Sequence, residues 1–148
     1  MAATYGAGTL AGQRVFNYGS AGLGNVGSYQ VSGVPWITGS TTLAAAGEDK
    51  WVFPRVAKAV TIINDSAIDI RIHFNSMNAD GRVIDGLHYF TLTTLRDNLT
   101  ITMKCSEIYI SHAGTGGEGG NASYTVMAEL TGIEPGNMIT LTGSGLTD

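Results

Sequence analysis

Apolar and polar residues alternate most regularly over residues 68–75. There Ile68, Ile70, Ile72 and Phe74 interleave with Asp69, Arg71, His73 and Asn75. A period of two puts one set on a core face and the other toward solvent, which predicts a half-buried strand. VTIIN (Val60–Asn64) before it and LHYFTLT (Leu87–Thr93) after it are rich in β-branched and aromatic residues, the types that favour strands. LTITMKC follows, with Leu99, Ile101, Met103 and Cys105 on one face and Thr100, Thr102 and Lys104 on the other. EIYIS (Glu107–Ser111) and SYTVMAEL (Ser123–Leu130) complete the set. Turn-forming residues stand between these runs: Asn64-Asp65-Ser66, Asp80-Gly81, Asp85-Gly86, Asp97-Asn98 and GTGGEGG (Gly114–Gly120). No stretch carries a helical period. About six strands at such spacing predict an all-β, antiparallel β-sandwich or jelly-roll-like domain over residues 48–133.

The flanks differ. Residues 1–47 hold one charged side chain, Arg14, and ten glycines, yet they carry spaced aromatic and aliphatic residues. Glycine-rich, charge-poor sequence is usual in flexible linkers, but linkers are poor in aromatics. The region therefore reads either as a loose linker or as an extended Gly-rich arm that orders along a partner surface. On the second reading Tyr18, Tyr29, Val31, Trp36 and Ile37 are the docking residues. Residues 134–148, EPGNMITLTGSGLTD, predict a C-terminal tail or one extra strand.

Composition narrows the function. Charged residues make up 14% of the chain, against the roughly 25% of ordinary domains, so much of the surface is expected to meet other protein. A net charge of -4 supplies no basic footprint for nucleic acid. No apolar run approaches the ~20 residues of a membrane helix. The N-terminus MAATYGAGTLAG has neither the basic nor the apolar segment of a secretory signal, which predicts a protein made and assembled inside a cell. One cysteine, Cys105, rules out an internal disulfide.

GLGNVG (Gly22, Gly24, Gly27) matches the dinucleotide-binding pattern, with Glu48 and Asp49 near the distance of a ribose-binding acid. That motif needs a strand before it and a helix after it, and Gly33, Pro35 and Gly39 exclude the helix. The histidines are His73, His88 and His112. The first two fall on neighbouring predicted strands, where Asp69 or Asp85 could complete a metal site, but no ligand spacing supports one. Cys105 ends an apolar face and reads as a buried hydrophobe. Trp36, Trp51 and Tyr109 could stack on sugar rings, which makes a carbohydrate-binding module the rival of another class. The expectation is a non-enzymatic protein without cofactor or metal.

Several segments together resemble a known group. GNVGSYQVSGVPWITGS (Gly24–Ser40) leads into WVFPRVAKAVTIIND (Trp51–Asp65), then IRIHFN (Ile70–Asn75), HYFTL (His88–Leu92), KCSEIYIS (Lys104–Ser111) and AELTGI (Ala128–Ile133). They are similar to small virion structural proteins of tailed bacteriophages, particularly those of cyanobacteria, and most of all to capsid decoration (cement) proteins. The resemblance implies a β-rich protein on the outside of a capsid, with an arm over neighbouring subunits. It implies the major capsid protein or another virion protein as partner, a homo-oligomer or symmetric array, and no contact with nucleic acid or membrane. Tail, baseplate and fibre components share such domains, so the place within the virion stays open. The resemblance gives no individual residue a role.

Overall fold

In a computed structural model, residues 23, 34–77, 82–114 and 119–147 are described. The fold is mostly antiparallel β-sheet, with strands β1 (Val34–Leu43), β2 (Glu48–Asn64), β3 (Ile70–His73), β4 (Phe90–Leu92), β5 (Asn98–Ile101), β6 (Cys105–His112) and β7 (Ala122–Leu130). A one-turn helix, α1 (Arg82–Asp85), and a 3-10 turn (Pro135–Asn137) are the helical elements among these residues. The strand order is β1-β7-β2-β6-β3-β4, and β5 joins β2 off that path.

β2 organises the sheet. Its first part, Glu48–Val52, pairs with β6, whereas Ala59–Asn64 pairs with β7 and Val60–Ile63 pairs with β5 on the opposite edge. Pairing with β6 is interrupted between Val52 and Ala57, where Pro54 cannot donate to a ladder. The Val56 main chain turns instead to the far end of the fold: its N–H donates to Ile133 O, and its carbonyl accepts from Thr131 N and Oγ1. Asn64 closes the strand. Its buried side chain donates to the carbonyls of Ile68 and Leu92 and accepts from Ser66 N and Oγ, tying the β2–β3 loop to the end of β4.

The core unites Phe53, Val60 and Ile62 of β2 with Ile70 and Ile72 of β3, Ile108 and Ile110 of β6, and Tyr124 and Val126 of β7. Each is at most 1% exposed, so the predicted apolar faces do point inward.

Three features depart from the sequence reading. The sheet begins at Val34, since residues 34–43, counted with the arm, form edge strand β1 paired to β7 from Val34↔Leu130 to Ser40↔Tyr124. The run Leu99–Cys105 is two strands, because β5 follows the second half of β2 and β6 the first. The C-terminal residues contribute no strand among those described: they make the 3-10 turn, and Leu141 packs back on the core. Arms and tails as units are otherwise untouched by this, and residues 1–22 and 24–33 lie outside the described residues.

Candidate functional site

The polar face of β2, β6 and β3 holds the richest chemistry. Glu48 and Lys50 of β2 lie opposite Ser111 and Tyr109 of β6, which lie opposite Arg71 and His73 of β3. The strand pattern predicts this face to be solvated. Instead His73, Ser111 and Tyr109 are buried. Residues 75–77 fold over them: Ser76 Oγ and Met77 N donate to the two carboxylate oxygens of Glu48, both at 2.7 Å, and Asn75 Nδ2 donates to Leu141 O.

His73 sits in the middle. Its Nδ1 lies 2.6 Å from Asn75 O, an atom that only accepts, so Nδ1 carries the proton. Nε2 then accepts from the Ser111 hydroxyl at 2.9 Å, and Glu48 stands 3.9 Å away. Burial lowers the His73 pKa and keeps the ring neutral; the Asn75 carbonyl and Glu48 oppose this more weakly. The Tyr109 ring stacks on His73 with centroids 5.9 Å apart. A hydroxyl bonded to an oriented imidazole is the start of a nucleophilic dyad. Here Ser111 is 0% exposed, so its oxygen has no approach for a substrate, and the arrangement acts as a satisfied polar core. Beside it Lys50 pairs with Glu107 at 2.8 Å, and Tyr109 donates to the same carboxylate at 3.0 Å.

The remaining histidines stand apart. His112 Nδ1 accepts from Gly114 N, leaving Nε2 buried without a partner, and His88 Nδ1 is likewise buried and unpaired. No group of three His, Cys, Asp or Glu side chains suited to a metal comes together among the described residues. Cys105 is fully buried, and desolvation pushes its thiol pKa up to about 12.

The sugar-stacking aromatics are turned inward. The Trp36 ring meets Trp51 and Phe53 edge-on, at 6.0 and 5.2 Å between centroids, and Trp51 Nε1 donates to Tyr124 Oη at 2.8 Å. Tyr109 lies under Lys50 and against His73. Tyr109 is buried, and Trp36 and Trp51 are partly buried against the core.

Of the proposed docking residues, Tyr18, Tyr29 and Val31 lie outside the described residues. Trp36 and Ile37 are neighbours on β1 and part company: Trp36 packs against the core, while Ile37 is 67% exposed. Ile37 stands opposite Met127 of β7, also exposed, and beside Thr38–Thr41 a shallow depression of about 580 Å³ runs to Asp65, Arg96 and Thr125. Its floor is ordered by Asp65, which accepts from Arg96 and from Thr125 Oγ1. β1 carries no charged side chain and has no strand on its other side among the described residues. Trp36, Thr38 and Ser40 are less exposed than Pro35, Ile37 and Gly39, an alternation the sequence does not show because Thr and Ser fall on the inner set and Ile on the outer. In the GLGNVG segment Leu23 O accepts from Lys104 Nζ at 2.7 Å, and the next described element is strand β1.

Comparison with protein-family models, with curated proteins and with solved structures finds no match to this chain.

Proposed function

We propose that this chain is a non-enzymatic structural protein of a tailed-phage virion, a capsid decoration protein that binds the outer shell and bridges neighbouring subunits. One observation carries the reading. The charge-poor N-terminal region runs directly into a charge-free strand on the rim of the sheet, anchored there by Trp36 packing on Trp51 and Phe53. Residues placed ahead of such an anchor leave from an edge, where they reach a neighbouring subunit most readily. Tyr18, Tyr29 and Val31 are then the contacts to the major capsid protein, because aromatics seated in pockets dominate interface energies. Localisation in the virion, and assembly without nucleic acid or membrane contact, follow from the same reading.

The proposed architecture is a sandwich. The first part of β2 with β6, β3 and β4 forms one layer, and its second part with β7, β1 and β5 forms the other. The Trp51–Tyr124 hydrogen bond supports two facing layers: Trp51 lies in the part of β2 that pairs with β6, whereas the ladder partner of Tyr124 is Asn64 at the far end of β2.

The inward packing of Trp36, Trp51 and Tyr109 favours this function over a sugar-binding module. A tail, baseplate or fibre location is the second reading, and the same assay addresses it. Purified protein and a variant lacking residues 1–33 are sedimented with capsids that lack decoration, and separately with isolated tails. Binding of the full chain to capsids, lost on truncation, is the expected outcome. Equal binding by the truncated chain, or binding to tails alone, refutes the proposal.

A further inference from the structure

We propose that the edge of β1 left without a strand among the described residues receives a second copy of this chain, the two β1 strands pairing antiparallel across a two-fold axis. This surface is distinct from the capsid contacts assigned to residues 1–33.

The edges of the sheet are unequal. β4 has three residues, and β5 has four, bracketed by Asp97 and Lys104. β1 has ten and carries no charge. Long, uncharged edges are those that natural proteins otherwise shorten, charge or cover, because their main-chain groups are a template for another strand.

The hydrogen-bond parity fixes which groups are offered. Asp65 N donates to Ser123 O, and on its other side Asn64 exchanges bonds with Arg96 and Asp97. Odd-numbered residues of β7 therefore bond toward β2 and even-numbered ones toward β1, since successive residues of a strand point their main-chain groups to opposite sides. Even pairs with even across β1 and β7. The N–H and C=O of Ile37 and Gly39 consequently face the open edge. Pro35, which has no N–H, shares that parity, the placement a strand tolerates.

A second copy fits this edge better than other occupants. A two-fold axis perpendicular to the sheet keeps inner faces inner and outer faces outer, so odd residues must stand opposite odd ones. With Thr38 at the axis, Ile37 of each chain lies opposite Gly39 of the other, and the two exchange main-chain hydrogen bonds. Ile37 then covers the bare glycine instead of solvent. The position has to be glycine, because a Cβ there would lie 2.5 Å from Tyr124 O. Electrostatics raises no obstacle: Glu129, opposite Pro35, is paired with Lys58, and Asp65, across the depression beside Ile37–Thr41, is paired with Arg96. A copy meets no unpaired like charge, while a charged peptide finds nothing to complement it. Two-fold pairs are also the commonest closed assemblies.

Analytical ultracentrifugation of the full chain, free of particles, tests this up to about 100 μM, well above a micromolar dissociation constant. A reversible dimer is expected. Ile37→Lys, at an exposed position, should weaken it at least about tenfold with an unchanged circular dichroism spectrum. Leu87→Lys, an equally charged change at an exposed position just before β4, at the other end of the strand order, should leave it intact. A monomer at the highest concentration overturns the proposal. So does a dimer insensitive to Ile37→Lys, or one weakened equally by Leu87→Lys. Truncation of residues 1–33 should spare the dimer, which separates this result from that of the capsid assay.

Discussion

Trp51 donates its indole N–H to the hydroxyl of Tyr124 at 2.8 Å, and that hydroxyl donates onward to Asp49 at 2.6 Å. Tyr124 is almost fully buried, so burial first, and the Asp49 carboxylate second, raise its pKa and hold it as a neutral donor. Tyr124→Phe strands both partners. A loss of about 1–3 kcal/mol is expected, the usual cost of leaving buried polar groups unsatisfied. Urea unfolding followed by tryptophan fluorescence measures it, and an unchanged midpoint would show that water replaces the hydroxyl.

Truncation should separate the two neighbours on β1. Trp36→Ala removes a ring packed on Trp51 and Phe53, and about 3 kcal/mol is expected, the lower end for a large aromatic because the ring is only half-buried. Ile37→Ala should stay within about 0.5 kcal/mol for a monomeric sample. Equal losses in thermal melts at low concentration would contradict the inward assignment of Trp36.

At the start of β3, Ile70→Ala should cost ~2–5 kcal/mol and Asp69→Ala, just before the strand, within about 0.5 kcal/mol. Ile70 is fully buried and Asp69 exposed. Ile101→Ala should fall between them, since Ile101 is half-buried at the edge of the core. Chemical denaturation of the three variants ranks them directly.

Acid should weaken the fold through His73. Its native pKa is lowered by burial, whereas in the unfolded chain the ring takes up a proton near the ordinary value of about 6.5. Below that pH the unfolded state binds more protons than the native one. The contribution is therefore intact above about pH 6.5 and declines as pH falls toward the native pKa, by at most ~1.4 kcal/mol per pH unit. Urea midpoints between pH 8 and 5 should drop for the natural chain and run flatter for His73→Gln. Parallel profiles would place the acid sensitivity elsewhere.

Cys105 should be inert. With its thiol buried and its pKa near 12, reaction with a disulfide reagent at pH 8 should await unfolding. Rapid labelling of the native protein would mean that β6 opens locally.

Much of the sheet was legible in local alternation. The runs at Ile70, Glu107 and Ser123 each became strands, and Asn64-Asp65-Ser66 became a turn because the Asn64 side chain bonds its own chain two residues on. What local pattern cannot carry is pairing. The Leu99–Cys105 run alternates without a break, yet it divides because its two ends serve different parts of β2. Likewise His73 reads as a solvent-facing residue by parity, and it is buried by Tyr109 and Ser111 arriving from β6 and by residues 75–77, which distant Glu48 holds over it. The docking region was legible as charge-poor, but the inward turn of Trp36 depends on Trp51 and Phe53, which no spacing reveals.

The order in which β2 meets its partners has a consequence for synthesis. The chain leaves the ribosome from its N-terminus, and β5, β6 and β7 begin only at Asn98, Cys105 and Ala122. At roughly 5–20 residues per second, β2, the longest strand among the described residues, spends seconds with both edges open before Leu130 completes its neighbours. Distant pairings of this kind also close slowly. Over that interval the open edges of β2 carry five charges, Glu48, Asp49, Lys50, Arg55 and Lys58, of the kind that discourages pairing with another chain.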